Sequence, residues 1–177
     1  IVGWVALSAS FSIHPPTALF GAYRRFEGLF SFINYAVVYF LFVQFAHGEG
    51  RIRQLTRVIF ASALLVSFYG VLQFLELDPF RWGPLLYEPR RAFSTYGNPV
   101  ILGGFIALVM PVALALAFTA QTALPRIGYW VGFLFIAWCW LATFTRGAWI
   151  GGTVGLAILV VGLYLSGRVK FRLVDRI

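Results

Sequence analysis

Long apolar runs separated by short basic segments constrain this chain more than any other feature of its sequence. Each run is close to the roughly 20 residues that a helix needs to cross a bilayer. The five runs cover residues 28–46, 55–77, 98–120, 128–144 and 148–166. Backbone groups in lipid must be hydrogen-bonded within their own segment, and no period-two alternation suggests a barrel, so helix is the conformation that fits. The sequence therefore predicts an all-α, polytopic bundle of transmembrane helices with five full spans.

The composition also indicates a membrane protein. Hydrophobic residues make up 60% of the 177 residues and charged residues 11%, whereas about 25% of an average soluble domain is charged. The net charge of +8 would suggest a nucleic-acid partner in a soluble protein. Here the basic residues lie between the apolar runs, so membrane topology accounts for them. We expect membrane lipids, and no nucleic acid, as partners.

The first 13 residues are apolar but too short to cross the hydrocarbon core. No basic region precedes them and no small-residue cleavage pattern follows them, so they do not fit a signal peptide. We expect residues 1–13 to be the end of a truncated helix and the chain to be an excerpt of a longer protein. Residues 1–177 are then one transmembrane domain.

The segments between the runs alternate between two sides of the membrane. The outer side, as we name it, comprises segments 14–27, 78–97 and 145–147, and the inner side comprises the others. The basic residues of the outer side are all arginines, namely Arg24, Arg25, Arg81, Arg90, Arg91 and Arg146. The inner side has the larger set when Arg57, just inside the second full span, is counted with it, namely Arg51, Arg53, Arg57, Arg126, Arg168, Lys170, Arg172 and Arg176. The positive-inside rule places that larger set in the cytoplasm.

The outer arginines lie beside predicted helix starts. Asn98-Pro99 is a good start for the third full span, with Asn as the cap and Pro at the first helical position, and Arg90 and Arg91 precede it closely. Arg146 lies in a tight turn between the last two spans. Arginine can bind a phosphate through two parallel hydrogen bonds, and helix N-termini favour anions. The pattern predicts a phosphate-bearing ligand at the outer interface, and the alternative is anchoring of the arginines at the lipid headgroups.

Small residues predict how the last span packs. Gly147, Gly151 and Gly155 form a tandem GxxxG pattern, which favours close approach of the fifth full span to a neighbour. Pro111 lies inside the third full span and predicts a kink there.

Metal and cofactor chemistry have little support in the sequence. Cys139 is the single cysteine, and His14 and His47 fall in different loops, so we expect no metal and no cofactor. His14 could act as an acid or base, and the alternative is that it orders its loop.

Two strings resemble a known family. Residues 91–99 read RAFSTYGNP and begin a helix that continues into Gly103-Gly104 and Pro111, while residues 141–149 read LATFTRGAW. This pair resembles the core signature of the O-antigen ligase and O-antigen polymerase superfamily. The segment 15–29, with LFGAYRRFEG, is also similar to bacterial members, so the resemblance covers about residues 14–160. Val100 and Thr145 depart from the pattern, since family members have Asn and Ser at these places.

The resemblance implies inverting glycosyl transfer at the periplasmic face of the bacterial inner membrane. The glycan would come from undecaprenyl pyrophosphate, and the acceptor would be a lipid A core sugar, another glycan or a protein hydroxyl. No nucleotide sugar and no metal would be needed. By matching position, Arg146 and Arg91 would hold the pyrophosphate and stabilise it as the leaving group.

Further residues of the outer side would complete this pyrophosphate site. They are Arg90, Asn98, Arg24 and Arg25. Family members also carry a large periplasmic loop with a functional His, which this sequence does not contain. That His is therefore assigned neither to His14 nor to His47.

Two other functional classes stay open. A transporter or channel would fit Pro111 and the glycine-rich last span, although no span has a mid-membrane charge. A non-catalytic membrane subunit of a larger complex would fit the incomplete catalytic set. A full-length sequence with further spans and a long outer loop containing His and Arg would favour the ligase.

Overall fold

The computed structural model describes residues 1–22, 27–80 and 90–166. Of the residues that it describes, 80% are helical and none belongs to a strand. The prediction of an all-α fold is confirmed for this part of the chain.

Seven α-helices and one 3-10 turn follow one another along the described residues. They are α1 (Val2–Ser10), α2 (Pro15–Phe20), α3 (Leu29–Phe45), α4 (Glu49–Phe74), the 3-10 turn (Ser94–Tyr96), α5 (Pro99–Thr119), α6 (Ala123–Ala142) and α7 (Arg146–Leu165). The chain divides into two compact units, Ile1–Arg53 and Gln54–Ile177. The first unit contains α1, α2 and α3, with α1 and α2 both packed on α3. The second contains most of α4 and all of α5 to α7.

Among the described residues, four helices, α4 to α7, are long and apolar enough to cross a membrane. The helix α3 is apolar but has 17 residues, and α1 has nine. The helices agree with a membrane protein, while the count of five full spans and the partial span at residues 1–13 stay predictions.

The helix α4 extends beyond the apolar run that predicted it. It begins at Glu49, before the predicted span 55–77, because its polar first turns continue the helix outside the apolar run. It ends at Phe74, where Glu76 adopts a left-handed conformation with φ 59°. There the Leu77 N–H donates to the Leu72 carbonyl at 2.9 Å, which closes the helix in the manner of a Schellman motif.

The helix α5 is the centre of the second unit. It packs against both α6 and α7, and Leu102, Ile106 and Met110 are fully buried along it. In the most apolar stretch of α5, 44% of the stretch is buried inside the protein, whereas in the corresponding stretch of α7 only 6% is buried. Most of the surface of α7 is therefore available to lipid. In lipid, helices are held together by close packing and not by the removal of apolar surface from water.

Among the glycines of α7, the one packed most tightly against a neighbouring helix is Gly152, outside the GxxxG series. A Cβ at Gly152 would lie 2.6 Å from Cζ2 of Trp140 in α6. At Gly147 and Gly151 a Cβ would meet no described atom within 4 Å, and at Gly155 it would meet only Pro111 Cγ at 3.7 Å. These three glycines instead line an apolar groove between α5 and α7. The helix α5 continues through Pro111, and the kink there stays a prediction.

Candidate functional site

The ends of four helices meet at one end of the second unit. The N–H of Ser94 donates to Gln73 Oε1 near the end of α4 at 2.6 Å. The Ala92 N–H donates to the carbonyl of Ala142, the last residue of α6, at 2.9 Å. The Thr145 hydroxyl donates to the carbonyl of Pro99, the first residue of α5, at 3.1 Å. These contacts bring four predicted site residues, Arg90, Arg91, Asn98 and Arg146, to the same end of the bundle.

Asn98 begins α5 as the sequence predicts. Its side-chain Oδ1 accepts a hydrogen bond from the Val100 N–H at 2.8 Å, and Pro99 occupies the first helical position. Gly97 has φ 64°, a conformation that glycine adopts without steric cost, so the chain can turn sharply into the helix. The predicted helix start is confirmed, and the Oδ1 atom of Asn98 is committed to it.

The guanidinium of Arg91 binds the turn between α6 and α7. Its Nε donates to the Thr143 carbonyl at 2.8 Å. Its Nη2 donates to the Phe144 carbonyl at 3.2 Å and to Thr145 Oγ1 at 3.1 Å. The cation therefore lies at the C-terminal end of α6, where the helix dipole is negative.

Arg90 forms an ion pair at the surface. Its Nε lies 2.8 Å from Glu76 Oε1, and the two side chains are 66% and 58% exposed. Such an exposed pair contributes little to stability, about 1 kcal/mol or less. The carboxylate does partly neutralise Arg90.

Arg146 is the first residue of α7 and is exposed. Its side chain makes no hydrogen bond or ion pair with another described residue, unlike the side chains of Arg90 and Arg91. Its neighbour Thr145 is only 8% exposed and is hydrogen-bonded to α5, so the backbone beneath Arg146 is held firmly. A helix start that is held in place and carries an exposed guanidinium can bind an anion.

Sequence reasoning missed two anchors of this site. Gln73 Oε1 accepts from the N–H groups of Phe93 and Ser94, and Ser94 Oγ donates to the Val66 carbonyl at 2.7 Å. Ser94 is fully buried and has φ 50°, which is unusual for a non-glycine residue. The sequence carried a signal, because Gln73 is one of the few polar residues in the apolar run 55–77.

Tyr96 lies beside these anchors in the 3-10 turn and packs against Phe105, with ring centroids 5.2 Å apart and the ring planes tilted by 36°. Partial burial raises the pKa of its hydroxyl above the ordinary value.

Several predicted residues cannot be placed in this site. Arg24, Arg25 and Arg81 lie outside the described residues. His14 belongs to the first unit, where it precedes α2 and its N–H donates to Ser12 Oγ at 3.2 Å. Within residues 1–22, 27–80 and 90–166, no three His, Cys, Asp or Glu side chains come together as metal ligands would.

Comparison of the chain with protein-family models, with curated proteins and with solved structures gives no significant match.

Proposed function

We propose that this chain is part of a glycosyltransferase of the O-antigen ligase type, which acts at the periplasmic face of the bacterial inner membrane. The observation that carries the proposal is Arg146: an exposed arginine, without a partner among the described residues, at the first position of a 20-residue helix. The two strings that resemble the family, residues 91–99 and 141–149, are hydrogen-bonded to each other through Arg91 and Ala92. The resemblance thus concerns residues that are neighbours in space.

In the proposed reaction an acceptor hydroxyl oxygen attacks the anomeric carbon of a glycan carried on undecaprenyl pyrophosphate. A new C–O bond forms, the bond from the anomeric carbon to the pyrophosphate oxygen breaks, and the acceptor proton passes to a base or to water. Negative charge develops on the departing pyrophosphate. The Arg146 guanidinium would stabilise this charge through charge-assisted hydrogen bonds. The acceptor would be a lipid A core sugar, another glycan or a protein hydroxyl.

The other proposed ligands of the pyrophosphate are less available to it than Arg146. Arg90 would have to exchange Glu76 for the ligand, and Arg91 and Asn98 already have partners in the turn and in α5. Arg24 and Arg25 stay predictions from the sequence. We therefore propose Arg146 as the principal ligand.

A transfer assay with the full-length protein and undecaprenyl-pyrophosphate glycan tests the proposal. We expect Arg146→Ala to lower kcat by about 100-fold or more, the effect of removing one charge-stabilising group. Arg146→Lys should retain part of the activity, because it keeps the charge and loses the two-pronged geometry.

Arg126→Ala is the matched control. Arg126 is another exposed arginine, and it binds the Ala120 carbonyl near the other end of α6, so its loss should leave transfer unchanged. From the sequence we also expect Arg81→Ala to be tolerated. Equal activity of Arg146→Ala and the unmodified protein would refute the proposal. Labelling of position 146 from the cytoplasm would show that the proposed topology is the wrong way round.

A further inference from the structure

We infer that Arg91 is a positioning residue, which holds the turn before α7 so that Arg146 faces the outer side. The inference rests on the proposed function for the role of Arg146. It assigns Arg91 a different role from the pyrophosphate contact that the family resemblance implies.

The carbonyl groups at the C-terminus of α6 show what Arg91 does. The last carbonyls of a helix have no partner within the helix and need one elsewhere. The Trp140 carbonyl accepts from Thr143 Oγ1 at 2.7 Å, and the Ala142 carbonyl accepts from the Ala92 N–H at 2.9 Å. The next two carbonyls, of Thr143 and Phe144, accept from Arg91. Residues 91 and 92 together therefore complete the end of α6.

The turn needs this support because of its backbone conformation. Phe144 has φ 47°, in the left-handed region that costs a non-glycine residue about 1–2 kcal/mol. Such a conformation persists only where surrounding contacts hold it. Arg91 binds the carbonyl before Phe144, the Phe144 carbonyl itself and the Thr145 hydroxyl, so one side chain spans the strained residue.

The same contacts fix where α7 begins. Thr145 Oγ1 accepts from Arg91 and donates to the Pro99 carbonyl, which links the turn to the start of α5. The Thr145 carbonyl accepts from the Trp149 N–H at 3.0 Å, the first bond of α7. Loss of Arg91 would therefore loosen the turn and the first residues of α7, including Arg146.

Cysteine labelling in the solubilised full-length protein tests this inference without relying on activity. Ala142→Cys places the reporter at the last residue of α6, directly before the turn, where the side chain is only 3% exposed and is labelled slowly while the turn is closed. Cys139 is buried, and the protein without the reporter sets the background. The reporter is combined with Arg91→Ala, with Arg91→Lys and, as the matched control, with Arg126→Ala.

We expect Arg91→Ala to raise the maleimide labelling rate about tenfold, because charge-assisted hydrogen bonds that keep the turn closed are lost. Arg91→Lys should restore the labelling rate most of the way and should recover part of the transfer activity, since it keeps a cation at the end of α6. Arg126→Ala should leave the labelling rate unchanged. If Arg91→Ala does not stay folded, Thr145→Val removes one partner of Arg91 and should also raise the rate.

A labelling rate of Arg91→Ala within about twofold of the parent, together with loss of transfer, would overturn the inference and assign Arg91 to the substrate. The same holds for an unchanged rate in Thr145→Val, where that variant is needed. Failure of the proposed function has a different signature. In that case the unmodified protein transfers no glycan, while Arg91→Ala still changes the labelling rate.

Discussion

Gly103 permits α5 to pass directly beneath the turn that carries Arg146, and its substitution has a predictable cost. A Cβ at this position would lie 3.0 Å from Thr143 Oγ1, 3.1 Å from Ala148 Cβ and 3.2 Å from Thr145 Cβ. The two carbon–carbon distances are shorter than the roughly 3.5–4.0 Å at which non-bonded carbon atoms attract each other best, and the contact with the Thr143 hydroxyl oxygen is also tight. The neighbours belong to the turn and to α7, so they cannot move without displacing the site.

Gly104 is the matched control for this change. It lies in the same helix, and a Cβ there meets no described atom within 4 Å. Both Gly→Ala changes gain about 1 kcal/mol of helix propensity, so the difference between the two variants isolates the packing term. Overpacking of this kind costs about 1–3 kcal/mol.

Thermal unfolding of the full-length protein in detergent measures the difference. With a packing cost of about 2 kcal/mol and about 2–4 °C per kcal/mol, we expect Gly103→Ala to unfold about 4–8 °C below Gly104→Ala. We also expect Gly103→Ala to lose at least about tenfold in transfer activity, because small displacements of binding groups are costly in catalysis. Gly103→Ala that is as stable and as active as Gly104→Ala would refute the packing argument.

Two further changes test the bundle around the site. Gly152→Val should lower the unfolding temperature, because its side chain would collide with Trp140. Gly151→Val is the control, because its side chain would point into open space and should leave the unfolding temperature unchanged. Equal unfolding temperatures of the two variants would contradict the packing of α7 described above. Gln73→Leu removes the acceptor of the buried Ser94 N–H and should cost about 1–3 kcal/mol in the free energy of unfolding, measured by denaturant titration; a loss below about 0.5 kcal/mol would mean that another group replaces Gln73.

The fold was largely predictable because apolar runs and helix caps are local signals. Runs of this length and composition can only be helices in lipid. The start of α5 followed from Asn98-Pro99 alone, since a cap and a proline act within one turn of chain. The helix α4 begins before the predicted span 55–77, because hydropathy marks where a helix enters lipid, whereas helical hydrogen bonding continues into the polar turn at Glu49.

The packing of α7 was not predictable from the glycine pattern. Four-residue spacing identifies a smooth face but not which neighbour, if any, lies against it. Gly152 makes the close contact because Trp140 reaches it from α6. Such a contact depends on the relative rotation of two helices, which neither sequence segment encodes by itself.

The roles of the arginines of the outer side also could not be predicted from residue type alone. An all-arginine set favours phosphate, because the guanidinium fork fits phosphate oxygens. The same fork also fits a set of backbone carbonyls, and Arg91 uses it on Thr143 and Phe144. Arg90 faces a carboxylate. Among the described arginines of that side, only Arg146 therefore keeps a side chain that residue type alone assigns to a phosphate. Arg146→Lys should weaken binding of the pyrophosphate, whereas Arg91→Lys should mainly loosen the turn.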